Sequence, residues 1–238
     1  MKRRPQRLRF LISAGPTREP LDPVRYVSNY STGFMGACLA HEALRRGHHV
    51  TVVSGPTSYR PPHQARLILV ETSHQMFTAL RQQLAGADAL IMAAAVCDFR
   101  PRRPARQKLA RRRHLRLALE ATPDLLARLP RRRGQLRVGF ALETAHALTR
   151  ATQKLSAKHV DLMVGQVANG TGGPFGRHAV EAFLITAAGA TKRLGRVAKP
   201  ALARAVLDEI EQLWYGGATR RSAQRRAAAH QHPQHRRV

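Results

Sequence analysis

Acidic side chains are scarce in this sequence. Only 14 aspartates and glutamates stand against 41 lysines and arginines, a formal charge of +27 over 238 residues. A field of that sign disfavours cationic ligands and favours anionic partners such as nucleotides, phosphorylated substrates or nucleic acid. Cysteine is nearly absent. Cys38 and Cys97 lie far apart and match no metal spacing, which excludes a disulfide scaffold and a thiolate metal site and fits a reducing, cytoplasmic setting. Aromatic residues make up 5% and are not interleaved with the basic ones, so a base-stacking nucleic-acid platform is not indicated. No apolar run is long enough to span a bilayer. The basic stretch from Met1 to Arg9 leads into a strand-length apolar run rather than a signal peptide. No G-x-x-x-x-G-K-[ST] loop occurs.

What is present is alternation. Leu8–Ser13, His49–Ser54, Arg66–Glu71, Ala87–Val96 and Leu136–Thr144 read as strands, with helical patterns from Ala37 to Arg46, after Thr72 or Ser73, and from Ala147 to Lys158. Strands alternating with helices predict an α/β fold, Rossmann-like and doubly wound around a mostly parallel sheet. A hairpin of Val180–Thr186 and Thr191–Leu194 adds a C-terminal antiparallel extension, and a strand is expected at Leu115–Glu120. Lys199-Pro200 opens a last amphipathic helix, which Gly216-Gly217 should end. The division predicted is one α/β domain over 1–215 and a basic, disordered tail over 216–238. In that tail, His230, His232 and His235 read as solvated residues rather than a metal site.

The first strand and first helix are joined by Asn29-Tyr30-Ser31-Thr32-Gly33-Phe34-Met35-Gly36. Ser31 or Thr32 is expected to cap the helix, whose first N–H groups offer an anion site. Gly33 and Gly36 allow a ligand and the neighbouring strand to approach the backbone. A dinucleotide fingerprint is disfavoured on two counts. The connection from Ala14 to Ser31 is far longer than the roughly 2–6 residues usual there, and no ribose-binding acid follows the second strand. A simple glycine-rich cap stays open. The long connection itself holds Arg18, Arg25, Glu19, Asp22 and Asn29, and long loops in compact domains are usually functional.

Three more places carry candidate chemistry. Asp98 emerges from the end of the central strand in Ala94-Ala95-Val96-Cys97-Asp98-Phe99-Arg100, either as a site acid or as a turn cap paired with Arg100. Pro101–His114 is rich in arginine and proline and should form a mobile, basic loop. Its one lysine, Lys108, is either an ordinary surface residue or an ammonium kept for chemistry a guanidinium cannot do. Phe140 in the strand ending at Glu143-Thr144 is either plain core or a base-packing ring.

The stretch SAGPTREPLDPVRYVSNYSTGFMG resembles the opening of phosphopantothenoylcysteine synthetases (phosphopantothenate–cysteine ligases), and weaker motifs of that family follow in order to about Trp214. The resemblance implies a ligase of coenzyme A biosynthesis that joins 4′-phosphopantothenate to cysteine through an acyl-nucleotide. CTP is expected over ATP as co-substrate, with Mg²⁺. It implies that Asn29 holds the activated carboxyl group, that Arg25 and Ala94 help bind phosphopantothenate, and that Ser31, Gly33, Gly36, Asp98, Lys108 and Phe140 face the nucleotide, Lys108 as a lid lysine. No protein ligand set for the metal is assigned. It also implies a homodimer. Because few residues precede Phe10, the flavin-dependent decarboxylase often fused to the family is expected to be separate, with no flavin here. Four positions depart from the family pattern: Phe34 replaces a lysine, Ala110 a lid lysine, and Gln166 and Val167 an Asn-Asp pair. These substitutions either lower activity or are offset by the arginine-rich surroundings.

Rival readings are an inactive or repurposed homologue, a basic nucleic-acid-binding protein using nonspecific polyanion contacts of the tail, and an NAD(P)-dependent oxidoreductase.

Overall fold

The computed structural model describes residues 6–168 and 174–230, with side chains described as far as 217. Its strands are β1 (Arg9–Ala14), β2 (Arg18–Pro20), β3 (Tyr26–Ser28), β4 (His49–Ser54), β5 (Arg66–Leu69), β6 (Ala89–Met92), β7 (Phe99–Pro101), β8 (Leu119–Ala121), β9 (Leu136–Glu143), β10 (Leu162–Val167), β11 (Val180–Thr186) and β12 (Thr191–Val197). Its α-helices are α1 (Phe34–Arg45), α2 (Ser73–Gln83), α3 (Leu125–Arg128), α4 (Ala147–Ala157) and α5 (Lys199–His230).

An eight-stranded sheet runs β12-β11-β10-β9-β6-β1-β4-β5. The six strands from β10 to β5 are parallel, and β11 and β12 close one edge antiparallel. This is the Rossmann-like architecture the alternation predicts. Residues alternate between faces along each strand. Phe10 and Ile12 of β1 pack with Leu39 of α1 and Val206 and Ile210 of α5. Leu11, on the opposite face, packs with Met76 and Leu80 of α2 and Leu155 of α4. Two cores therefore sandwich the sheet. From β1 the chain adds β4 and β5 on one side, then crosses to β6 on the other. That reversal opens a crevice outside the carboxyl ends of β1 and β6, where doubly wound sheets bind ligands.

Several local expectations are corrected. Neither Ser31 nor Thr32 caps α1 through its side chain. Gly33 is the N-cap, in the left-handed region at φ 78°, and no side chain accepts from the helix start. Only glycine fits there, because a Cβ would lie 2.1 Å from Thr57 Oγ1. The expected strand Leu115–Glu120 shrinks to β8, which pairs antiparallel with β7 in a two-stranded ribbon of its own. Arg100 pairs with Glu120 at 2.8 Å across that ribbon, not with Asp98. The long connection after β1 contains a hairpin, β2–β3, that three-residue strands do not announce by periodicity. Finally, α5 continues through Gly216-Gly217 to His230. Two glycines weaken a helix by about 1 kcal/mol each without blocking it, and the alanine- and arginine-rich residues beyond favour helix. His232 and His235 lie outside the described residues, as does the rest of 231–238. Thr72 does cap α2, in a capping box with Gln75.

Candidate active site

The floor of the crevice is an extension of the sheet. Beyond β1, Pro16 bridges Ala95, Ala95 N–H donates to Gly15 O at 2.9 Å, and Thr17 N–H to Ala95 O at 3.2 Å. Thr17 Oγ1 accepts from Cys97 N–H at 3.0 Å. Thr122 fixes the other side, donating its hydroxyl to Cys97 O and its N–H to Asp98 O at 2.9 Å. The segment Ala94–Asp98 is thus held on both flanks by backbone and threonine hydroxyl bonds, and Ala94 N–H is caught by Ser13 Oγ at 3.1 Å.

A cleft of about 520 Å³ opens above this floor. The start of α1 from Ser31 to Gly36 forms one wall, and Gly139, Phe140 and Gln166 line the sheet side. Lys154 of α4, Lys158 at its C-cap, the Pro174–Gly176 turn and Lys199 complete it. Gly36 lets α1 sit tight on β1, since a Cβ there would come 2.4 Å from Ala14 Cβ. The first helical bond of α1 runs from Ala37 N–H to Gly33 O at 3.1 Å. The N–H groups of Phe34, Met35 and Gly36 precede it, and with no side-chain cap they are left for an anion.

Of the residues singled out from sequence, Asn29, Ser31, Gly33, Gly36, Ala94, Asp98 and Phe140 all line this cleft. Asn29 donates Nδ2–H to Ala95 O at 3.0 Å, which brings the end of the long connection onto the Ala94–Asp98 segment. Asp98 is exposed, and its carboxylate has no hydrogen bond or ion pair among the described residues. Two of the sequence candidates stand apart. Arg25 is bound to Asp22 at 2.6 Å and donates to Leu109 O at 2.7 Å. Lys108 is exposed, next to Leu109, whose N–H donates to the same Asp22 carboxylate at 3.1 Å. The Asp22–Arg25 pair therefore grips both the N–H and the carbonyl of Leu109. The hydrogen bond from the Arg25 side chain, helped by the backbone N–H groups of Leu109, Val24 and Arg25, holds the Asp22 carboxyl well below the usual carboxylate range. Ala105 N–H adds a bond to Leu21 O at 2.9 Å, so the basic segment is pinned along the β2–β3 turn.

The four departures fall in distinct settings. Phe34, the first residue of α1, packs on Tyr59 with ring centroids 4.7 Å apart, and the Arg177 guanidinium lies over it at 5.2 Å. Ala110 is exposed in the basic segment and Val167 ends β10. Gln166 lines the cleft with a buried Nε2 that has no hydrogen-bond partner among the described residues. Gln166 pairs in register with Leu142 and Val164 with Phe140, so Gln166 and Phe140 share one face of the sheet. A buried, unpartnered amide on that face is a donor waiting for an acceptor.

Sequence reasoning gave no site role to Lys154 or Lys199, and noted Lys158 only as a match to a family motif. Lys154 pairs with Glu143 at 2.5 Å and Lys158 with Asp124 at 3.1 Å. Lys199 is buried, donates to Pro174 O at 2.5 Å and Gly176 O at 2.8 Å, and has no carboxylate partner among the described residues. Burial pushes its ammonium pKa down. A lysine on the first turn of a helix runs against the dipole preference, and that was the available signal. Residues 169–173 lie outside the described residues; Pro174–Gly176 are described. Among the described residues no three His, Cys, Asp or Glu side chains cluster to cage a metal. Asp98 alone offers a free carboxylate in the cleft, which suits a Mg²⁺ carried mainly by phosphates and water. No helix among the described residues is long and apolar enough to cross a membrane.

Comparison with known proteins gives a consistent picture. The chain is 39% identical over 181 residues to a cysteine/cysteine sulfinic acid decarboxylase of an unknown prokaryotic organism, covering 74% of this chain and 50% of that protein. It is 36% identical over 209 residues to the coenzyme A biosynthesis bifunctional protein CoaBC of Vibrio vulnificus strain YJ016, covering 86% of this chain and 52% of that protein. The chain thus spans about half the length of these curated relatives. The crystal structure of the C-terminal domain of a CoaBC protein superposes with TM-score 0.75 at 34% identity, covering 89% of this chain and 97% of that one. A family model matches residues 6–213, and the chain belongs to the family it describes, the DNA/pantothenate metabolism flavoprotein C-terminal domain.

Proposed function

We propose that this chain joins phosphopantothenate to cysteine, activating the carboxylate with a nucleoside triphosphate, CTP over ATP. The observation that carries the reading is the hydrogen bond from Asn29 to Ala95 O at 3.0 Å beside the uncapped start of α1. It gathers an amide donor, an anion-receiving helix end and the free Asp98 carboxylate into one cleft at the switch point of the sheet. The CoaBC relatives, named for coenzyme A biosynthesis, support the same reading.

A carboxylate is not electrophilic at neutral pH. In this mechanism its oxygen attacks the α-phosphorus of the nucleotide, forming an acyl–phosphate bond and releasing pyrophosphate. The cysteine amine then attacks the acyl carbon, and the mononucleotide leaves with the electron pair of the broken C–O bond. Both steps gather negative charge, so fixed donors count most. The N–H groups of Phe34–Gly36 receive phosphate oxygens. Asn29 holds the acyl oxygen, with Ala95 O orienting its amide. Phe140 packs on the base, and the unpartnered Gln166 Nε2 meets an acceptor on it. Asp98 would hold Mg²⁺, which supplies charge neutralisation at the phosphates. Lys108 and the segment clasped by Asp22 and Arg25 cover the intermediate, and water exclusion strengthens every charge contact beneath. Arg25 in this reading acts on phosphopantothenate through that clasp. A homodimer and a cytoplasmic setting complete the proposal.

The test is amide formation from phosphopantothenate and cysteine with a panel of nucleoside triphosphates. CTP-dependent product with stoichiometric pyrophosphate is expected. Nucleotide binding without product would favour an inactive homologue, with Phe34, Ala110, Gln166 and Val167 as the first suspects.

A further inference from the structure

Two cations flank the Pro174–Arg177 turn, and no carboxylate balances either one among the described residues. Lys199 lies beneath it, 4% exposed and held only by the carbonyls of Pro174 and Gly176. A buried charge satisfied by dipoles alone is unfavourable unless an opposite charge arrives. On the outer side, the Arg177 guanidinium rests over the Phe34 ring at 5.2 Å and the Tyr59 ring at 5.5 Å. Among the described residues it donates no hydrogen bond.

This arginine is not a loose surface residue. Gly176, just before it, donates its N–H to Thr32 Oγ1 at 3.2 Å, and Thr32 precedes the N-cap Gly33 of α1. The ring beneath the guanidinium, Phe34, is the first residue of α1 and lines the cleft. A guanidinium held over ring faces keeps its N–H groups available, and their fork suits bidentate contact with phosphate. The arginine therefore lies over two rings, is unpaired among the described residues, and follows a glycine bonded to the residue before the helix cap.

We propose that Arg177, beside the cleft lined by Phe34 and Gly176, is a phosphate-binding residue: held over Phe34 and Tyr59, its guanidinium grips phosphate oxygens that the first turn of α1 receives. The inference rests on the ligase reading only for naming the ligand a nucleoside triphosphate.

The experiment titrates tripolyphosphate, CTP and cytidine, each with Mg²⁺, into the full chain and its variants by calorimetry. Arg177→Gln should weaken tripolyphosphate and CTP about 10- to 100-fold, the loss expected for charge-assisted hydrogen bonds. Cytidine affinity and the melting temperature should not change, because Arg177 is exposed. Arg177→Lys should recover only part of the loss. Tyr59→Leu, which removes one supporting ring, should weaken CTP about 2- to 5-fold. Equal tripolyphosphate affinity in wild type and Arg177→Gln overturns the proposal. So does a matching loss of cytidine binding, which would mark a collapsed turn, and so does a wild type that fails to bind tripolyphosphate. A wild type that binds CTP but makes no amide overturns the ligase reading instead, and the role of Arg177 is still decided by the binding data.

Discussion

Asn29 and Ala95 meet across 66 residues of sequence, the amide of one donating to the carbonyl of the other at 3.0 Å. Ala95 O also accepts from Thr17 N–H at 3.2 Å, so one carbonyl ties both ends of the long connection to the floor of the cleft. The bond leaves Asn29 Oδ1 and one amide hydrogen for a ligand. Asn29→Ala should slow cysteine-dependent amide formation about 10²- to 10³-fold, the usual cost of one donor at a developing oxyanion. Pyrophosphate release should fall less. Wild-type amide formation in the variant would remove Asn29 from the mechanism.

Gly36→Ala tests how α1 is seated. The new Cβ would stand 2.4 Å from Ala14 Cβ and 3.2 Å from its Cα, so helix and strand must part. A loss of about 1–3 kcal/mol in denaturant unfolding is expected, together with weaker nucleotide binding. An unchanged unfolding midpoint would mean that α1 shifts freely over β1.

Acid stability should depend on Glu42. Its carboxyl is drawn from 4.5 to about 2, chiefly by the hydrogen bond from Arg45 and then by Arg46. Because the folded value lies below the unfolded one, its contribution is complete above about 4.5 and is lost as pH falls towards 2. Glu42→Gln should destabilise the protein by about 1–3 kcal/mol at neutral pH. The gap to wild type should close across that acid window. A gap independent of pH would contradict the assignment.

Lys108→Gln should preserve nucleotide binding yet raise the pyrophosphate released per amide formed, because a poorly closed segment exposes the acyl-nucleotide to water. Lys108→Arg should not restore coupling fully. Asp22→Asn, which loosens the grip on Leu109, should raise cleavage by protease between Pro101 and His114. A one-to-one ratio at the wild-type rate in Lys108→Gln would make Lys108 a plain surface lysine.

The sheet was readable because its strands are long, apolar and punctuated. β4 was anticipated residue for residue, and the glycine pair at 33 and 36 marked the start of α1. Short elements were not. β2, β3 and β7 have three residues each, too few for a period, and β8 was misjudged by four residues at its start in an arginine-rich stretch. The cap was misassigned because a serine and a threonine precede a glycine whose backbone geometry only the fold dictates. The site was legible where it followed the family motif. Arg177 was hidden among 41 lysines and arginines, since its place over Phe34 and Tyr59 joins residues far apart in sequence. Gln166 was noticed only as a departure; its unpartnered Nε2 needs the fold to appear.

The most direct test of the account follows one oxygen. Phosphopantothenate labelled with ¹⁸O in its carboxylate is turned over with CTP and cysteine, and the released nucleotide and phosphates are examined by mass spectrometry. Attack at the α-phosphorus followed by amine displacement predicts one labelled oxygen in the cytidine monophosphate and none in the pyrophosphate. Label in inorganic phosphate, or an unlabelled monophosphate alongside amide product, would contradict it.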